Sequence, residues 1–229
     1  GGVDPMNPDD EDRFVALANE ALGTAKSLGI TSVSSTSFEN WMNTQARKEG
    51  ADYQAAVAQV VKAHVRAYQE SELAASCVGR WQLEFLRPVE FSTFTDLGRS
   101  WDVVRGINEA IGANFFRVLV DAAHCGDSGL SLEENKALIS EIGAAGALGC
   151  FHASAKTTRG CFSTDDGWIG ALLAACAGTG GLDTVIVEAF HHADEALTAL
   201  RDAVPGFGLD TTDGRDRKST RLNSSHRIR

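Results

Sequence analysis

The 229-residue chain has no apolar run that approaches the roughly 20 residues of a membrane-spanning helix. Its longest, Trp168 to Ala177, is about half that length. It also lacks a cysteine framework. The five cysteines, Cys77, Cys125, Cys150, Cys161 and Cys176, form no CxxC pair, which argues against a zinc ribbon or a disulfide scaffold and for reduced, mostly buried thiols. Basic residues are scarce, 21 against 31 acidic, for a net charge of −10 that repels a phosphate backbone wherever it is spread evenly. Apolar residues at 43% and charged residues at 23% are ordinary for a globular protein, so disorder of the whole chain is excluded.

The one dense basic run is Arg215 to Arg229. Within it, Asp216 to His226 is similar, residue for residue, to the translation of a common short-read sequencing adapter. We therefore expect residues 216–229 to be a non-native tail and exclude them from fold reasoning. The remainder, with 16 basic and 30 acidic residues, carries −14. The first methionine is Met6, just ahead of a helical pattern, so the sequence is expected to be a fragment.

Phe14, Val15, Leu17, Ala18, Ala21, Leu22 and Ala25 recur near a 3.6-residue period, and acidic residues crowd the start, predicting a helix over 9–28 that Gly29 stops. A short strand is predicted at Ile30 to Val33 and a long helix from Tyr53 to Ala75. Four apolar runs then recur, each followed by a loop and an amphipathic helix: Trp81 to Leu83, Phe116 to Val120, Leu148 to Phe151 and Thr184 to Val187. The helices are expected at about 96–111, 131–143, 166–178 and 193–203, the second of them opening with the capping box Ser131 to Glu134. Strands alternating with helices at this spacing imply an α/β fold with parallel pairing and no second domain.

Each apolar run ends in a metal-capable side chain: Glu84, Asp121, His152 and Glu188, at intervals of 37, 31 and 36 residues. In a parallel barrel the carboxyl ends of the strands converge on one mouth, so four side chains distant in sequence meet there. Three carboxylates and one imidazole favour Mn, Mg or Co, with Zn also admitted. Two glutamates on opposite sides of a chelated sugar can remove a proton from one carbon and return it while the metal polarises the neighbouring carbonyl.

Val118 to His124 resembles the D-x-x-H strand end of the xylose-isomerase-like TIM-barrel superfamily of sugar phosphate isomerases and epimerases. Leu83 to Leu86, Phe151 to Ser154 with the later Arg159-Gly160, and Val187 to Phe190 are similar to its other strand ends. The resemblance spans about residues 9–205. It implies that residues 1–215 are a truncated (β/α)8 barrel holding strands four to eight, with the N-terminal units missing. It also implies that Glu84, Asp121, His152 and Glu188 are metal ligands, that Glu84 and Glu188 are the acid–base pair, and that His124 and Arg159 contact substrate. Two positions depart from the pattern: Ala155 stands where the family often has Glu, and Arg159 follows His152 by seven residues rather than six.

The function expected is a divalent-metal-dependent sugar isomerase or epimerase working through an enediolate. The alternatives are a metal-dependent dehydratase of an inosose- or dehydroshikimate-like ketone, and an inactive fragment. An abasic-site endonuclease on this barrel needs a basic groove, against which the charge of −14 argues. The expected partner is a small sugar or keto-polyol, with no nucleic acid and no membrane, in a cytoplasmic protein that forms a homo-oligomer at full length. His64, on the apolar stripe of its helix, is expected to be a core histidine. Glu90, Asp127 and the pair His191-His192 are placed near the mouth, Trp101 and Trp168 are read as packing residues, and Gly178 to Gly181 as a helix end.

Overall fold

The structure, a computed structural model, describes residues 2–154, 167–188, 195 and 198–203. The predicted tail 216–229, Arg159 and the pair His191-His192 lie outside the described residues. Among the described residues, five parallel strands form one sheet in the order β1 (Ser32–Ser35), β2 (Arg80–Glu84), β3 (Phe116–Asp121), β4 (Leu148–Ala153) and β5 (Thr184–Val187). Each strand pairs with the next in sequence, and parallel neighbours require a crossover, which helices supply here. These are α1 (Glu11–Ser27), α2 (Gly50–Glu70), α3 (Leu97–Ile111), α4 (Ala122–Asp127), α5 (Leu132–Ala144), α6 (Trp168–Gly178) and α7 (Thr198–Ala203). The result is an open half-barrel, part of a (β/α)8 architecture. Among the described residues, no helix is long and apolar enough to cross a membrane.

Alternation along the strands separates two environments. Trp81, Leu83, Phe116, Val118, Val120 and Phe151 join the apolar core beneath the helices, while Gln82, Glu84 and Asp121 are buried outside that core, on the inner side of the curling sheet. One residue of register is lost between β3 and β4, where the ladder shifts between Val118 and Val120. Gly149 stands at this bulge, and a Cβ there would collide with the Gln82 side chain and approach Cβ of Arg117 to 2.9 Å.

The helix ends follow from their residues. Ser131 Oγ accepts from the Glu134 amide at 3.2 Å and Glu134 Oε2 accepts from the Ser131 amide at 2.8 Å, closing the expected capping box. Asp96 caps α3 through the Arg99 amide at 2.9 Å, and Gly112, at φ 67°, ends that helix in the left-handed region.

Three expectations need correction. The first strand begins at Ser32 rather than Ile30, because Gly29 (φ 67°) and Ile30 close α1: their amides donate to Lys26 and Ala25 carbonyls at 3.1 and 2.9 Å. The long helix ends at Glu70 rather than Ala75, because Glu72 takes a left-handed φ of 51° and Leu73–Ala75 forms a separate 3-10 turn. The short helix α4 was not expected from sequence; at six residues it is too brief to show a period.

Candidate metal centre

Glu84 is the last residue of β2, Asp121 the last of β3, His152 the fifth of the six residues of β4, and Glu188 follows β5 directly. In the ladders, Glu84 pairs with Leu119, two residues before Asp121, whereas Asp121 is level with His152. His152 in turn pairs with Ile186, two residues before Glu188. This advance is the stagger of a tilted, closing sheet. On a flat sheet the ends of β2 and β5 would be about 14 Å apart, three strand spacings. Curling instead brings one ligand atom from each of Glu84, Asp121, His152 and Glu188 within 4.8 Å of the others.

His152 Nδ1 is the centre of the group. It lies 3.3 Å from Glu84 Oε1, 3.6 Å from Glu188 Oε2 and 3.7 Å from Asp121 Oδ2. Although Nδ1 is buried, it makes no hydrogen bond among the described residues. Separations of this size are too long for strong hydrogen bonds. They match the edges of a coordination shell, where donors about 2.1 Å from a cation stand about 3.0–3.4 Å apart when adjacent and about 4.2 Å apart when opposite. The donor set fits a divalent cation on chemical grounds as well, because three crowded carboxylates need positive charge. Burial of His152 disfavours its cation, yet the surrounding Asp121, Cys150, Glu188 and Glu84 side chains outweigh this and hold its pKa well above the usual value. A divalent cation would supply that charge and leave the ring neutral as a ligand.

Glu84 is buried, which opposes its ionisation, but His124 and His152 overcome this and hold its carboxyl below the usual glutamate value. His124 Nε2 stands 3.5 Å from Glu84 Oε1, at the inner wall of the centre. Its placement comes from α4: Asp121 is the N-cap of that helix and its Oδ1 accepts from the His124 amide at 2.8 Å. The D-x-x-H spacing thus serves both as a cap and as a way to hang the imidazole beside Glu84.

Four of the sequence-derived site residues therefore gather in one cluster and His124 borders it. Arg159 lies outside the described residues. Glu90 and Asp127 are tied together by Arg87, whose Nε and Nη1 donate to them at 3.2 Å each, and Trp41 Nε1 donates to Glu90 at 3.0 Å. This network joins the segments after β1, β2 and β3. His64 is on the helix side of the sheet, fully buried among Phe14, Trp81 and Phe116, as a core histidine should be. Trp101 and Trp168 pack with their indole N–H groups donating to Glu141 Oε1 and the Ala122 carbonyl at 2.8 Å each. Ser154 was overlooked as a site residue: its Oγ is 2.9 and 3.0 Å from the two oxygens of Asp121. The period-2 step from His152 to Ser154 was the available signal.

No protein-family model and no curated protein sequence matches the chain. Solved structures do. A D-psicose 3-epimerase from Clostridium cellulolyticum H10, crystallised with D-tagatose, aligns at 18% identity and TM-score 0.63 over 81% of this chain and 59% of that one. A putative sugar phosphate isomerase/epimerase from Anabaena variabilis aligns at 16% identity and TM-score 0.70 over 86% and 61%. The IolI protein, solved with a zinc atom, aligns at 16% identity and TM-score 0.59 over 86% and 67%. The chain spans 59–67% of the length of these three structures. The chain shares its fold with these structures, and three carboxylates and an imidazole gather at the carboxyl ends of its strands.

Proposed function

We propose that the chain is the larger part of a divalent-metal-dependent sugar isomerase or epimerase that works by proton transfer beside a ketone. The observation that carries this reading is the convergence of Glu84, Asp121, His152 and Glu188 within 4.8 Å. A bound Mn, Mg or Co ion, or Zn as in the IolI structure, would polarise the substrate carbonyl and stabilise the enediolate. Glu84 and Glu188 reach the centre from β2 and from the end of β5, with β3 and β4 between them, so each can address a different face of a sugar held there. One carboxylate takes the proton from the carbon next to the carbonyl and the other returns it. Asp121 and His152 anchor the centre from the strands between. His124, whose Nε2 stands beside Glu84 Oε1, is assigned a hydrogen bond to a substrate oxygen, and Arg159 a second such contact.

The substrate class is a ketose or keto-polyol, and the proteins with this fold include epimerases named for D-psicose and D-allulose. The test is incubation of the chain with Mn2+ in D2O and a panel of free and phosphorylated ketoses. Proton magnetic resonance would follow deuterium uptake at the carbon beside the carbonyl, and chromatography would follow the epimeric or isomeric product. A product absorbing in the ultraviolet as a conjugated enone would replace this reading by the dehydratase. Metal bound with neither exchange nor product on any ketose would remove it.

A further inference from the structure

Asp121 has two oxygens, and a carboxylate on a flexible χ2 can bind a cation through one or both. Here the rotation is fixed from outside the cluster. Oδ1 accepts from the His124 amide at 2.8 Å, and Ser154 Oγ, one residue past β4, is 2.9 Å from Oδ1 and 3.0 Å from Oδ2. Ser154 is 1% exposed and is itself held, accepting from the Ala123 amide at 3.3 Å. That amide is one of the donors at the start of α4 with no partner inside the helix. The serine therefore completes the cap of α4 from the neighbouring strand and clamps the side chain that begins it. The His124 amide holds Oδ1 and the Ser154 hydroxyl lies about equally near both oxygens, so the rotation of the carboxylate is fixed with Oδ2 standing 3.7 Å from His152 Nδ1.

We infer that Ser154 is a positioning residue for the metal: its hydroxyl fixes the rotation of the Asp121 carboxylate toward the cluster and couples the ligand on β3 to the ligand on β4. This rests on the metal reading of the cluster above. A buried hydroxyl spanning 33 residues of sequence has a structural use too, in capping α4, and the two uses are separable. Capping acts on the fold with or without metal, whereas orientation of Asp121 acts on metal affinity and coordination number.

The experiment measures Mn2+ affinity of the full chain by titration calorimetry, the visible absorption of its Co2+ form, and the melting temperature of the metal-free form. These are compared in the parent, Ser154→Ala, Ser154→Gly and Ser154→Thr. Loss of a partner of a metal ligand weakens metal binding about 10- to 100-fold, so Ser154→Ala and Ser154→Gly should fall in that range while Ser154→Thr, which keeps the hydroxyl, stays within about 3-fold of the parent. Co2+ absorption should change in band position and intensity in Ser154→Ala as the Asp121 carboxylate is freed to rotate, and be restored in Ser154→Thr. If the Ala and Gly variants bind Mn2+ as tightly as the parent, or differ from it only in metal-free melting temperature, the inference is overturned and the metal reading stands. If the parent itself binds no divalent cation, the metal reading is what fails and takes the inference with it.

Discussion

Oε1 of Glu84, at the end of β2, lies 3.3 Å from Nδ1 of His152, near the end of β4, although β3 runs between the two strands. Only a sheet that curls toward closure brings these atoms so near, with Asp121 of the intervening strand joining them from below the same mouth. Removing an inner ligand should cost more than the 10- to 100-fold typical of an outer partner. Asp121→Asn and His152→Ala are expected to weaken divalent-metal binding by at least an order of magnitude, as read by calorimetry or competition with a chelating dye. Parent-like affinity and stoichiometry in both would end the assignment of the cluster as a metal centre.

Glu84→Gln and Glu188→Gln keep the length of the side chain and one oxygen donor but remove the proton acceptor. Some metal binding should survive, and net conversion should fall by about 10²- to 10⁴-fold, the usual worth of a general base. With one base per face, a single variant is expected to exchange the substrate's carbon-bound proton with solvent deuterium while giving little product. Near-normal conversion by either metal-loaded variant would rule out the two-glutamate mechanism.

Metal binding to the folded state alone also stabilises it by mass action. At a free concentration of 100 times Kd the gain is about 2.7 kcal/mol, or about 5–10 °C in melting temperature for a chain of this size. Mn2+ should raise the melting temperature and a chelator should reverse the rise. The Asp121→Asn protein is expected to show a clearly smaller shift at the same Mn2+ concentration.

His64 gives a pH signature unrelated to the metal. Burial lowers its pKa to about 4, opposed in part by its Nδ1 contact with the Val60 carbonyl at 2.8 Å, and Nε2 lies 2.9 Å from Ser37 Oγ. With Nδ1–H donating to Val60, Nε2 accepts from the Ser37 hydroxyl, and a proton on that nitrogen would break the pair. The unfolded chain takes up this proton near pH 6.5 and the folded one only near pH 4, so the stabilisation is complete above 6.5 and is lost as pH falls toward 4. Urea unfolding should show about 2 kcal/mol less stability at pH 5.0 than at pH 7.5 from this group. A His64→Gln protein with the same pH slope would show that the histidine is not its source.

Gly149→Ala tests the bulge between β3 and β4. The added methyl meets the Gln82 side chain and comes within 2.9 Å of Arg117 Cβ, and overpacking of this kind costs about 1–3 kcal/mol. Chemical denaturation should detect that loss. An unchanged midpoint would mean that the inner layer yields more readily than its packing implies.

The order of the strands, the helices between them apart from α4, and the four cluster residues were legible in the sequence. Hydrophobic period, caps such as Ser131 with Glu134, and the charged residue that ends each apolar run are local features, written within a few positions of one another. The displaced start of β1 was nearly legible, since Gly29 marks a helix end, but that Ile30 would spend its amide on the Ala25 carbonyl is a matter of backbone geometry. Other features depended on residues far apart. That the Ser154 hydroxyl donates to Asp121, 33 residues away, that the ladder slips one residue opposite Gly149, and that β2 and β5 curl until Glu84 and Glu188 approach one centre were decided only in the folded molecule. Register and curl are set by the sum of many side-chain contacts across neighbouring strands, and no single stretch of sequence encodes that sum.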